Sequence, residues 1–257
     1  MKAAALFLTV LFLSSASAAL PEIRLCYEDV VVFPWITGDD KGVAIEELHL
    51  VEKKLSLKFT MVRLPWKRCQ IEAKNGNFEG IISASYNDER ASWGVYPFSD
   101  ENIIEPDYRM HTDRFYIYTR KESPIKLKNG KLENLGDNHV GVQLGYSVGN
   151  DLQKLGYTLH SSFTGAIDVI KELDRGIINV AVLQDHETIR VLNRHPELTK
   201  KIVRQEPPFK IADQYLLFTQ KFFKQNPDLS KKIWKAISSV RESSEYKTMV
   251  ENELQHI

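Results

Sequence analysis

Residues 43–82 read VAIEELHLVEKKLSLKFTMVRLPWKRCQIEAKNGNFEGII. The hydrophobic pattern of this stretch passes from helix to strand, to helix, to strand. Ile45, Leu48, Val51 and Leu55 recur near helical spacing, with charges between them. Phe59 to Val62 is a short apolar strand. Pro65 suits the first position of a second helix, and Asn75-Gly76 is a stop signal for it. Gly80-Ile81-Ile82 is a buried strand. Upstream, Ile23-Arg24-Leu25-Cys26-Tyr27 supplies one more strand. The resulting β-α-β-α-β run predicts a parallel sheet.

A second alternation follows. His139 to Gln143 reads as a strand, and Gly145 turns the chain. Ser147 is placed to cap a helix that runs to about Leu155. A helix from Thr164 to Arg175 stops at Gly176. Ile177 to Leu183 is a buried strand, and a helix spans about Glu187 to Asn193. Two α/β units are therefore expected. Phe115 to Thr119 and Tyr215 to Thr219 are extended apolar runs, placed to cross between the units as a paired hinge. From Pro227 the chain is helical, with Ile233, Trp234, Ile237 and Val240 on the apolar face. The expected division is residues 1–18 as a signal peptide, 19–116 plus 216–257 as lobe 1, and 117–215 as lobe 2.

The 34 basic and 34 acidic residues balance among 257. The basic excess of a nucleic-acid binder is missing, so no nucleic-acid partner is expected. Lys2, the apolar run Ala3 to Leu13 and the small residues Ser14 to Ala18 form a secretory signal, cut near Ala18. That run is short for a bilayer core about 30 Å thick. Cys26 and Cys69 would then lie in an oxidising compartment. The sequence leaves open whether they are bridged or are two buried thiols.

Ser83-Ala84-Ser85-Tyr86-Asn87-Asp88-Glu89-Arg90, followed by Tyr96-Pro97-Phe98-Ser99, resembles a Ser-x-Ser-x-Thr-x-x-Arg stretch of the extracellular solute-binding proteins, family 3. Gly42 to Glu46, Pro65-Trp66-Lys67-Arg68, Val140 to Ser147, Ile233 to Ile237 and Arg241 to Tyr246 extend the resemblance over nearly the whole mature chain. It implies an α/β, periplasmic-binding-protein-like fold of two doubly wound lobes joined by a two-strand hinge. Ligand would bind between the lobes, at the carboxyl ends of the strands. It also implies a periplasmic monomer that captures a small polar organic ligand, with no cofactor and no catalysis. An ABC permease in the inner membrane would receive that ligand. The same fold also serves sensory proteins and a few dehydratases, which stay as alternatives.

Arg90 is the first candidate contact. Its planar paired donors match a carboxylate, and the resemblance implies that role. Ser83, Ser85 and Asn87 stand where the chain leaves a buried strand, with polar groups able to face a crevice. Asn87 replaces the threonine of the resembling stretch. Ser147 is the partner across the crevice, where free N–H groups and the helix dipole favour an anion. Tyr146 replaces a small hydroxyl residue there. Trp35 and Trp66 are candidates for an aromatic wall, with Tyr27 less central. Glu28 and Asp29 follow it and could meet a ligand amine, although as two exposed loop acids they need no such role. In Asn179 to Asp185, amino-acid binders of the resembling family usually carry an aspartate for the ligand's ammonium. Ungapped counting puts Gln184 there, with Asp185 one residue later. A slip of one residue reverses a strand side chain. If Gln184 faces the crevice, an ammonium loses its partner.

Two other motifs compete. Gly145-Tyr146-Ser147-Val148-Gly149 has the form of a nucleophile elbow, but no glycine-type oxyanion loop accompanies it. Asp185-His186-Glu187 looks metal-like, yet acids belong at a helix start for dipole reasons alone. No metal is expected.

Overall fold

A computed structural model describes residues 22–38, 40–136 and 139–257. The expected signal peptide lies outside the described residues. β1 (Ile23–Glu28) pairs in parallel with β2 (Phe59–Leu64) on one side and β3 (Gly80–Ser85) on the other. Between them run α1 (Val43–Leu55) and α2 (Trp66–Lys74). Val43, Ala44, Ile45, Leu48 and Val51 of α1 are fully buried, because their helical spacing puts them on one face. Each large apolar side chain so buried stabilises the fold by about 1.5–3 kcal/mol. α1 stops where Ser56 turns left-handed.

After β3 the chain makes one turn of helix, α3 (Asp88–Ala91), and a short β4 (Gly94–Val95). It then enters β5 (His111–Arg120). A small hairpin, β6 (Lys126–Lys128) and β7 (Lys131–Glu133), follows. The second alternation comprises β8 (Val140–Gly141), α4 (Ser147–Lys154), β9 (Leu159–His160), α5 (Ala166–Arg175) and β10 (Val180–Gln184). Next come α6 (Asp185–Arg194) and α7 (Pro196–Thr199), then the long β11 (Ile202–Thr219). α8 (Gln220–Gln225), α9 (Pro227–Arg241) and α10 (Ser244–Leu254) end the chain.

Among the described residues the main sheet has nine strands, in the order β2-β1-β3-β11-β5-β10-β8-β9, with β4 on β11. β5 and β11 explain why the hydrogen bonding is continuous. Gln214 to Phe218 of β11 pair with β3. Lys210 to Gln214 pair with His111 to Phe115 of β5, and Ile202 to Gln205 pair with Ile117 to Arg120. β5 also pairs with β10 through Phe115 to Thr119. The two long antiparallel strands therefore leave one parallel set and enter the other. One apolar cluster lies under α1 and α9, and another covers the β10–α5 face. A third joins Trp66 and Ile81 to Val142 and Val148, where the two sets meet.

Several expected boundaries shift. The strand expected over His139–Gln143 shortens to two residues, and that expected over Ile177–Leu183 starts at Val180. Tyr215–Thr219 is the end of a far longer strand. Ser147 is the first residue of α4, and the N-cap position falls on Tyr146. The Ser147 hydroxyl is held by Ser85 instead, at 2.6 Å. Cys26 and Cys69 form a disulfide, with Cα atoms 5.6 Å apart. The bridge ties β1 to α2, which settles the question left open by the sequence.

Candidate functional site

A cavity of about 40 Å³ lies where the carboxyl ends of β1, β3 and β10 meet the start of α4. Arg90 forms one end of it. Asn87 caps α3 by accepting the Arg90 backbone N–H at 2.7 Å, which fixes the turn that carries the arginine. The side chain folds back inside and is only 1% exposed. Nη1 donates to the Ser85 carbonyl at 2.7 Å, and Nη2 donates to the Gly145 carbonyl at 3.0 Å. The guanidinium also lies over the Trp66 ring, 5.1 Å from its centre. Trp66 Nε1 donates to the same Gly145 carbonyl at 3.2 Å. Gly145 has φ +80°, a left-handed backbone, and a Cβ there would sit 3.2 Å from Gln70 Nε2. Glycine lets the α4 turn approach α2 this closely.

The other end is acidic. Asp113, from β5, accepts Trp35 Nε1 and Gln184 Nε2, each at 2.7 Å. Burial pushes its pKa up to about 6, against the pull of these hydrogen bonds and one from Gln214. Glu28 ends β1 and accepts the Tyr146 hydroxyl at 2.7 Å. Burial pushes Glu28 up to about 8, and Tyr146 opposes this. His111 stacks on Trp35 with centroids 3.9 Å apart, and burial holds its pKa well below the usual range. Ser83 has φ +58°, a left-handed backbone inside a strand, opposite an irregularity in the β3–β11 register. Strained residues of this kind are held in place by their surroundings. The cavity thus has donors for an anion at one end and acceptors at the other.

A family model described as bacterial extracellular solute-binding proteins, family 3, matches residues 32–255. The chain belongs to this family. Among solved structures, a histidine kinase sensor domain with similarity to periplasmic binding proteins has a TM-score of 0.74 at 15% identity, covering 91% of this chain and 96% of that one. A mutant of ArgBP from T. maritima has a TM-score of 0.69 at 18% identity, covering 91% and 95%. The amino acid ABC transporter substrate-binding protein AbpA from Streptococcus pneumoniae, bound to L-arginine, has a TM-score of 0.69 at 14% identity, covering 91% and 95%. No curated protein matches the chain at a significant level. The fold is that of the periplasmic binding proteins: two doubly wound lobes joined by two strands, β5 and β11.

In this solute-binding protein most of the expected residues meet at one place. Arg90, Ser83, Ser85 and Trp66 line the cavity from the first lobe, with Trp35. Tyr146, Ser147 and Gln184 line it from the second. Gln184, not Asp185, faces inward. Asp185 starts α6 and pairs with Arg204 at 2.7 Å. Asn87 does not line this cavity, because its side chain is engaged in capping α3. Tyr27 packs in the core with its hydroxyl on Asp40. The reading of Glu28 as an exposed loop acid is wrong: it is 6% exposed, on the strand. The metal-like run is engaged elsewhere, since Glu187 pairs with Arg190 at 2.8 Å and accepts the Phe33 N–H at 3.1 Å. Ser147 meets Ser85 and Lys210, and among the described residues no imidazole bonds to it.

Sequence reasoning missed His111, Asp113 and Phe115. They are alternate residues of β5 and so share one face, which lines the cavity. A histidine and an aspartate at alternate positions just before the apolar run Phe115 to Tyr118 were the available signal.

Proposed function

We propose that this chain is a periplasmic solute-binding protein that captures a small polar, carboxylate-bearing ligand between its lobes. It binds as a monomer, performs no covalent chemistry, and passes the ligand to an ABC permease. The lobes are residues 19–116 plus 216–257 and residues 117–215, after removal of a signal peptide near Ala18. One observation carries the reading. The buried guanidinium of Arg90 stands opposite the first turn of α4, with Ser85 and Ser147 beside it. A carboxylate there meets paired charge-assisted donors from one lobe and helix N–H groups from the other.

The mechanism is closure about β5 and β11. The present cavity of about 40 Å³ has room for little more than one or two waters. A ligand therefore enters an opened form and replaces part of the direct contact between lobes, such as the Arg90–Gly145 bond. Because it touches both lobes, it binds the closed form better and shifts the population toward it. Family membership and the amino-acid-binding proteins among the structural relatives support this reading.

Calorimetry and small-angle scattering test it, with the standard amino acids and small carboxylates as probes. The expected result is saturable binding of at least one carboxylate with a smaller radius of gyration. Binding to uncharged solutes alone, or turnover of a bound probe, would overturn it.

A further inference from the structure

We propose that Glu187 is a positioning residue for closure: with Phe33 it forms a clasp outside the ligand cavity that holds part of the ligand-free population closed. This rests on the reading of two lobes that hinge about β5 and β11. Glu187 lies in the first turn of α6, in the second lobe. Neither Glu187 nor Phe33 lines the cavity of about 40 Å³. An acid at a helix start needs no function of its own, yet this one is only 4% exposed. Its Oε2 accepts the Phe33 N–H at 3.1 Å, from the first lobe and 154 residues away in the chain. Among the described residues that N–H has no other acceptor. When the lobes part, it loses its protein partner.

Both halves of the clasp are set before they meet. In the second lobe Arg190 donates from Nε to Glu187 Oε2 at 2.9 Å and from Nη2 to Oε1 at 2.8 Å. This fork fixes the carboxylate. In the first lobe the loop between β1 and α1 is pinned. Val32 and Ile36 exchange backbone hydrogen bonds at 2.8 and 2.9 Å. The Pro34 and Trp35 carbonyls accept the Val43 and Ala44 N–H groups, each at 3.1 Å, which ties the loop to the start of α1. Closure therefore orders little that was free, and more of the bond's strength goes into holding the lobes together. The Arg190 guanidinium also lies over the Phe33 ring, 5.8 Å from its centre. That second contact between the lobes is lost together with the first.

The contact at the rim is of another kind. Asp88 of α3 meets Lys154 of α4 at 2.7 Å, also between the lobes, but the two side chains are 71% and 66% exposed. A pair so open to water contributes little. The Glu187–Phe33 bond is charge-assisted and buried, with Phe33 5% exposed. A bond of this kind shifts an equilibrium about 10- to 100-fold. Because the clasp lies outside the cavity, a bound ligand leaves it intact. It favours the closed form with and without ligand, and apparent affinity follows the fraction of protein that is ready to bind. Glu187 thereby tunes affinity without touching the ligand.

The test uses the ligand-free protein at pH 7: small-angle scattering, with amide hydrogen exchange at Phe33 followed by NMR. The native chain is compared with Glu187→Leu, which removes acceptor and charge, and with Glu187→Gln, which keeps an acceptor. Glu187→Leu should have a larger radius of gyration and exchange Phe33 about 10-fold faster or more. Glu187→Gln should fall between it and the native protein. If Glu187→Leu does not fold by circular dichroism, Glu187→Gln carries the test, with Phe33 exchange about 3-fold faster or more. The proposal is overturned if Glu187→Leu folds with the native radius of gyration, or if Phe33 exchanges at the native rate in the variants that fold. Lower thermal stability with both readouts unchanged would leave Glu187 as a helix-start acid and no clasp. Neither measurement needs a ligand, so failure of the carboxylate reading looks different: no standard amino acid or small carboxylate binds, while Glu187→Leu still opens the protein.

Discussion

Replacing Arg90 by methionine separates its two roles, in the fold and at the cleft. Methionine keeps much of the buried volume and removes the charge and the donors. The Ser85 carbonyl keeps the Tyr96 hydroxyl at 2.7 Å. The Gly145 carbonyl keeps Trp66 Nε1 at 3.2 Å and Gln70 Nε2 at 3.4 Å. Neither acceptor is left without a partner. The variant also relieves the cost of holding a guanidinium away from water, several kcal/mol in itself. The net loss of stability should therefore be about 1–3 kcal/mol. Binding is different, because a carboxylate at this position loses two charge-assisted hydrogen bonds. At about 1.5–3 kcal/mol each, that is about 3–6 kcal/mol. Affinity should fall roughly 10²- to 10⁴-fold. Urea denaturation measures the first quantity, and calorimetric titration of a carboxylate probe measures the second. An affinity within tenfold of the native protein, alongside the expected loss of stability, would refute the reasoning. Arg90 would then be a strut between α3 and the α4 turn and no part of the binding site.

Further expectations concern the bridge and the buried acids. Cys26 and Cys69 are separated by 43 residues, and closing a loop of that size restricts the unfolded chain by about 4 kcal/mol in the chain-entropy model. A double variant, Cys26→Ala with Cys69→Ala, should lose about that much in urea denaturation; a loss under about 1 kcal/mol would show that α2 and β1 hold together without the bridge. Glu28 has its folded pKa raised to about 8, so the native state keeps a proton that the unfolded chain has released above the ordinary glutamate range. Its contribution is present at low pH and is lost as pH rises through about 8. Between pH 7 and 8, above most of the range where buried His111 and His186 oppose the trend, Glu28 alone should lower stability by about 1 kcal/mol, and Glu47, whose pKa burial also raises, adds to the fall. Glu28→Gln should remove the Glu28 share of this slope and leave that of Glu47, and an unchanged slope would show that Glu28 is ionised in the ligand-free protein.

Local pattern alone determined the order of elements. The 3.6-residue spacing of Ile45, Leu48 and Val51 forces one face of α1 inward in any fold. Gly176 ends α5 in a left-handed turn, as its position in the sequence implies. The Ser83 to Arg90 run likewise marked the turn from β3 to α3 as chemically distinctive. Boundaries moved where distant pairing overrides local preference. β11 begins thirteen residues before Tyr215 because β5 offers it a partner along its length.

The acidic half of the site belonged to tertiary structure. Asp113 and Gln184 are 71 residues apart, and Glu28 and Tyr146 are 118 apart. Nothing local couples such pairs; the crossing strands and the docking of α4 bring them together. Nor can a sequence show that a glutamate at a strand end is sealed from water, since burial depends on what the rest of the chain lays over it. Residue type fixes what each group can donate or accept, while the assembled fold decides which groups face the same empty space and whether water reaches them.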